Sequence, residues 1–169
     1  NFWTTFTRET EFDYTVGMDV YEESDLTFHA GTIVDHMVLA VTDTADLYIM
    51  PEKELYNTTY VANIGVNLTD MAYNKADDLV YGVTDTNQLV TIDRLDGTVE
   101  VVDEIAFTTN TLACDANGTF YCNELGTSAL YSFTLDTIAE PTLLVEDMGL
   151  GAVGSIRLQT MEINPNTGM

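Results

Sequence analysis

From Leu68 onward, apolar and polar residues alternate in short runs cut by turn formers, which is the period-two pattern of half-buried β-strands. The runs predict strands over Thr69–Asn74, Leu79–Thr84, Gln88–Asp93 and Thr98–Asp103. Between them lie Lys75-Ala76-Asp77-Asp78, Asp85-Thr86-Asn87 and Arg94-Leu95-Asp96-Gly97. Asp-Gly between two alternating runs is a strong hairpin signal. No window combines a 3.6-residue apolar period with helix caps.

The four-strand unit recurs along the chain. Met37–Pro51 (MVLAVTDTADLYIMP) lies over Leu79–Asp93 (LVYGVTDTNQLVTID) at a constant offset of 42 residues. Thr119–Phe133 (TFYCNELGTSALYSF) is a looser third copy with one extra residue before its Ala-Leu-Tyr. The tails Ile64-Gly65, Ile105-Ala106 and Met148-Gly149 follow 41 and 43 residues apart. Self-similarity at roughly 20 to 50 residues marks solenoids, propellers and arrays. A helical solenoid of this period needs two helices per repeat, whereas four short strands rich in Val, Ile, Thr and Tyr describe a β-propeller blade.

The expected fold is therefore all-β: one propeller-like domain over residues 1–169, with blades of four antiparallel strands at 26–65, 66–106 and 107–149. Residues 1–24 (Phe2–Thr7, then Phe12–Gly17) read as the two outer strands of a preceding blade. Residues 150–169 read as the start of a following one, with Ile156–Asn164 its inner strand behind the glycine-rich linker Gly149–Gly154. Two closures fit this pattern. The segment is an arc of a larger ring of about six to eight blades, or its C-terminal strand joins the N-terminal pair to close a ring of four. The arc is preferred, because the composite blade lacks its second strand. A chain that starts at Asn1 and ends in Asn164-Pro165-Asn166-Thr167-Gly168-Met169 reads as a segment of a longer polypeptide.

Charge narrows the partners. Against 28 acidic residues stand Arg8, Lys53, Lys75, Arg94 and Arg157, for a formal net charge of −23. Such a chain repels phosphate backbones and anionic lipid surfaces, which excludes nucleic acid as an expected partner. No uncharged run reaches the roughly 18 to 20 apolar residues that span a bilayer, so no membrane insertion is expected. Residues 1–20 lack a basic stretch followed by an apolar one. An acidic surface suits a cation-rich exterior, and the expected location is extracellular or the cell surface.

Cys114 and Cys122 flank a turn at Asp115-Ala116-Asn117-Gly118. A two-residue turn there puts the two side chains on opposite faces of the ribbon, and free, buried thiols are expected; a longer loop reverses that parity.

The repeats resemble the bacterial extracellular β-propellers of the YVTN, NHL and quinoprotein-like groups. The resemblance rests on Leu79-Val80-Tyr81-Gly82-Val83 and Leu89-Val90-Thr91-Ile92-Asp93-Arg94-Leu95-Asp96-Gly97, a cadence of blade-building residues. It departs from the WD class, with no Gly-His or Trp-Asp pair, and from the kelch class, with no Gly-Gly doublet. It implies a fold and carries no active site. Proteins resembling this type are often large surface or secreted proteins whose propellers bind proteins, carbohydrates or peptides.

Candidate chemistry is sparse. Asp43 and Asp85 occupy equivalent places in Val-Thr-Asp-Thr, and Glu124 falls near that place in the third copy. Carboxylates repeated around one face suit a hard cation such as calcium; Asp and Thr are also simply favoured in turns. No Asp-x-Asp-x-Asp-Gly loop, His-Glu-x-x-His, Cys-His spacing or Gly-x-Ser-x-Gly occurs. His29 and His36 are the only histidines, and no catalytic residue stands out. Trp3, Tyr21, Tyr48, Tyr56, Tyr60, Tyr81 and Tyr121 are candidates for sugar stacking, though blade packing ordinarily consumes aromatics.

The reading that results is a non-enzymatic binding or scaffold module of a larger secreted or cell-surface protein, presenting a loop face to a protein or glycan. Two alternatives stand beside it. One is part of an enzyme or metal-dependent propeller whose site is completed by missing blades. The other is a self-assembling segment that forms a homodimer through exposed blade edges.

Overall fold

A computed structural model describes residues 27–54, 57–127 and 129–148, together with the backbone of Phe6–Thr7. Among the described residues, thirteen strands form three antiparallel sheets. The first sheet contains β1 (Phe6–Thr7), β2 (Thr27–Val34), β3 (Met37–Thr42), β4 (Asp46–Pro51) and β5 (Thr59–Asn63). The second contains β6 (Leu68–Asn74), β7 (Leu79–Thr84), β8 (Gln88–Ile92) and β9 (Val99–Glu104). The third contains β10 (Ala113–Cys114), β11 (Phe120–Asn123), β12 (Leu130–Phe133) and β13 (Thr142–Val145). Each sheet contains a meander of four consecutive strands, β2–β5, β6–β9 and β10–β13, the propeller blade expected from the repeats.

Phe6–Thr7 pairs with Phe28 and Thr27, so this short strand extends the first blade's own sheet beside β2. The remainder of residues 1–24, read above as strands of a preceding blade, lies outside the described residues, as do the linker Gly149–Gly154 and the strand expected at Ile156–Asn164.

The repeat is one of backbone detail. The β2/β6 strands each carry a bulge at the same place, between Phe28 and Ala30 and between Leu68 and Asp70. The third strand of every blade shifts register against the fourth at Leu47/Tyr48, Leu89/Val90 and Leu130/Tyr131. A bulge adds local twist, and placing one at the same step in each blade bends every outer strand alike.

Blades stack through their faces, with β6 packed between β2 and β10. The first interface is aliphatic: Leu39, Val41 and Leu47 meet Leu68, Met71, Val80, Val90 and Ile92 in one buried cluster. Gly82 leaves room for the second blade's own side chains on this face, since a Cβ there would come within 2.9 Å of Leu68 Cδ2 and 3.1 Å of Ile92 Cδ1. The second interface is aromatic. Tyr81 meets Phe120 edge-on at 4.9 Å between ring centroids, and Phe120 stacks on Phe133 at 5.3 Å. At Gly97, φ is +74° and a Cβ would lie 2.7 Å from that of Ala62, so the β8–β9 loop sits directly on β5.

One backbone bond fastens each interface. The Tyr73 N–H donates to Thr32 Oγ1 at 3.1 Å across the first. Across the second, the Leu112 N–H donates to Asp70 Oδ2 at 2.8 Å, while the Met71 N–H donates to Asp70 Oδ1. Asp70 is buried, 2% exposed, so its carboxylate is sequestered between two inner strands.

Cys114 and Cys122 are free and buried. The opposite-face geometry is corrected, because the turn is longer than two residues. Cys114 pairs with Phe120 around the loop 115–119, and that register sets both thiols on one face. Cys122 lies diagonally beyond Cys114's partner, where Cβ separations are about 7–8 Å and a disulfide does not reach.

Candidate binding face

The turns joining second to third strands and the linkers between blades open on one end of the stack. The turns of the first two blades are built alike. Ala45 and Asn87 take left-handed φ values of 61° and 65°, and their N–H groups donate to the Thr42 and Thr84 carbonyls at 3.1 Å. The Thr42 and Thr44 hydroxyls lie 2.9 Å apart, as do those of Thr84 and Thr86. The Thr42 and Thr84 hydroxyls in turn accept the Asp46 and Gln88 N–H groups. A turn carrying an αL residue closes a hairpin without splaying its strands, and the threonine hydroxyls satisfy the groups left over.

Backbone bonds tie the linkers to these turns. Ile64 N–H donates to the Ala45 carbonyl and Ile105 N–H to that of Asn87, both at 2.8 Å. Leu125 N–H donates to the Thr108 carbonyl at 2.8 Å, joining the second linker to the third blade's turn. Asn63 Nδ2 donates to the Thr44 carbonyl and to Asp46 Oδ1. The Thr44 hydroxyl and the Asn63 amide hold the Asp46 carboxyl below the usual carboxylate range. The face is thus a fixed surface, held by the same frame that holds the blades.

Its electrostatics are one-sided. Asp43 and Asp85 are exposed at the turn tips, and Asn67 Nδ2 reaches Asp85 Oδ2 at 3.5 Å. Glu124 is half-buried; its carboxylate accepts the Thr127 hydroxyl at 2.7 Å and the Tyr131 hydroxyl at 3.5 Å. Glu104, Glu146 and Asp147 add charge at the ends of the outer strands. Among the described residues this end carries no lysine or arginine. Lys53, Lys75 and Arg94 all sit in loops at the opposite end, where Arg94 pairs with Asp78 at 3.4 Å and His36 with Glu52 at 3.1 Å. Exposed pairs of this kind contribute about 0–1 kcal/mol.

The calcium candidates Asp43, Asp85 and Glu124 each stand on their own blade. Among the described residues no three His, Cys, Asp or Glu side chains gather as a metal would require. His29, exposed in the β2 bulge, and His36, in the turn at the strand's far end, are separated by a strand length of roughly 20 Å. Tyr81 is consumed by packing, as described above. Tyr48 joins Phe28 and Tyr60 in an edge-to-face ladder. Asn63, Thr44 and Thr108, which anchor the face, were not singled out from the sequence. The place of Asp46 four residues after Thr42, matched by Gln88 after Thr84, was the signal available.

No protein-family model matches the chain, and no curated protein matches it either. Solved structures do match, and they are β-propellers. Glutaminyl cyclase of Myxococcus xanthus superposes with a TM-score of 0.61 at 11% identity, covering 86% of this chain and 67% of the enzyme. A structural-genomics protein of Bacteroides thetaiotaomicron gives 0.57 at 13% identity over 71% of this chain and 36% of its own. A chain of the nidogen/laminin complex gives 0.57 at 10% identity over 73% and 49%. The chain thus spans between a third and a half of the last two. At these identities the likeness establishes the β-propeller fold alone.

Proposed function

We propose that this chain is a non-enzymatic binding module whose turn-and-linker face receives a cationic segment of a partner protein. One observation carries the reading: a rigid end surface bearing Asp43, Asp85, Glu104 and Glu124 has no lysine or arginine among its described residues. A face of one sign steers an oppositely charged partner and rejects others. The matching propeller in a nidogen/laminin complex supports a protein as the class of ligand.

The test compares two charge-neutralised variants. One carries Asp43→Asn, Asp85→Asn and Glu124→Gln; the other carries Asp35→Asn, Glu52→Gln and Asp96→Asn at the opposite end, which removes the same charge. Binding of an unstructured lysine-serine peptide is read by fluorescence anisotropy at low and high salt. The first variant is expected to weaken binding about tenfold or more, the second far less. Equal losses would reduce the effect to net charge. Salt-insensitive binding to a glycan array would replace the protein with a carbohydrate.

A further inference from the structure

Each blade ends in an outer strand, and the three described outer strands are protected to different degrees. β9 runs Val99-Glu100-Val101-Val102-Asp103-Glu104, so three carboxylates interrupt its edge. On β5, Tyr60 is the one large apolar side chain left exposed, with one side against Tyr48, and the loop at Gly97 rests on Ala62. β13 has neither protection. Thr142–Val145 contains no charge, lies at the end of its sheet, and leaves Leu143, Leu144 and Val145 49%, 47% and 40% exposed. Unpaired backbone groups beside consecutive apolar side chains form a template for another strand, which natural edges normally blunt with charge.

The surroundings select the occupant. Glu140 stands before β13, and Glu146 and Asp147 follow it. Residues 95–148 contain no lysine or arginine at all. A second copy of the chain complements this edge poorly: pairing Leu143 with its symmetry partner's Leu144 sets Glu140 across from Asp147, and any antiparallel register brings two sets of carboxylates and no cation to the edge. Two copies at −23 also repel at distance. An anionic lipid surface is rejected on the same ground. What complements this edge is an extended peptide with an apolar centre and cations at both ends.

We infer that β13 is a strand-addition site for such a peptide, which joins the third blade as a fifth strand. Main-chain hydrogen bonds to β13 supply the attachment, Leu143 to Val145 cover its apolar positions, and Glu140 and Glu146 pair with its terminal lysines or arginines. This site borders the turn-and-linker face at Glu146, but its attachment is the β13 main chain, so it is tested apart from Asp43, Asp85 and Glu124.

The probe is a synthetic peptide of alternating valine and threonine with two lysines at each end, titrated into the folded chain by anisotropy. Its counterpart with glutamates at both ends is expected to bind at least about tenfold more weakly, and so is the same peptide N-methylated at alternate amides. Leu144→Lys is expected to abolish binding while thermal melting by circular dichroism stays near wild type; Val101→Lys on β9 leaves it unchanged. The N-methylated peptide keeps the question decidable should Leu144→Lys unfold. The proposal is overturned by absence of binding near about 1 mM peptide, by tolerance of N-methylation, or by equal affinity for the glutamate peptide. Loss of binding in the turn-face triple variant with Leu144→Lys unaffected would place the contact elsewhere. A dimer by light scattering without peptide would assign the edge to a second copy.

Discussion

The two interfaces between blades occupy the same backbone positions and solve the packing problem with different chemistry. Leu39, Val80 and Ile92 in the first correspond to Tyr81, Phe120 and Phe133 in the second. The first is filled by aliphatic side chains that close over Gly82 and is fastened through a threonine hydroxyl; the second gains area from rings and is fastened through a buried carboxylate. The blade therefore specifies which positions are inward and how strands turn, and each pair of neighbours chooses its own filling. Local substitutions should thus act on one interface at a time, since repeats in such arrays touch only their neighbours.

The largest effect is expected at the aromatic interface. Phe120→Ala removes a fully buried ring from between Tyr81 and Phe133 and should cost about 3–5 kcal/mol by urea denaturation. Leu39→Ala, at the aliphatic interface, should cost about 2–5 kcal/mol. A loss at Leu39 exceeding that at Phe120 would break the ranking.

The two fastenings come next. Asp70→Ala leaves the Met71 and Leu112 N–H groups without that acceptor in a buried site, at about 1–3 kcal/mol, whereas Thr32→Val at the other interface should cost about 0.5–1.5. Asp70→Asn keeps an acceptor and should recover part of the loss. Gly82→Val tests the closeness of the aliphatic side, with about 1–3 kcal/mol expected and partial rescue by Leu68→Ala in the double variant.

The effect smallest near neutral pH is a pH dependence carried by the two thiols of the aromatic side. Burial pushes the Cys114 and Cys122 thiols up to about 12 from an ordinary 9.0. Between those values the unfolded chain releases thiol protons that the folded chain keeps. The contribution is therefore present below pH 9 and lost as the pH rises towards 12. The urea midpoint should fall in that window, and less in a variant with both cysteines changed to alanine. At pH 8 the native thiols should resist iodoacetamide that labels the denatured chain.

Much of the fold was legible because propeller blades are written in local pattern. The overlay of Met37–Pro51 on Leu79–Asp93 located two hairpins, and Asp96-Gly97 marked a third turn correctly, with Gly97 at positive φ. The cysteine parity was misjudged because the chain closes its turn with five residues, Asp115 accepting the Asn117 and Thr119 N–H groups. Side-chain alternation cannot register that difference. The Asp70 fastening was hidden for another reason: its partner Leu112 lies 42 residues on, and an isolated aspartate amid apolar residues reads as a surface position until the neighbouring blade is in place. The acidic turns were visible, but their shared end, free of basic residues among those described, emerged only once the loops were sorted between the two ends of the stack.

The cation-free third blade also decides how the molecule can be dissected. A protease that cuts after lysine and arginine meets no bond to cleave between Arg94 and Arg157. Digestion leaves residues 95–157 as one fragment whether the blade is folded or open. Opening of that blade will be invisible to trypsin and must be followed with an enzyme that cuts after glutamate, for which Glu124 and Glu146 provide reporters at the turn tip and just past β13, while Pro141 shields the bond after Glu140.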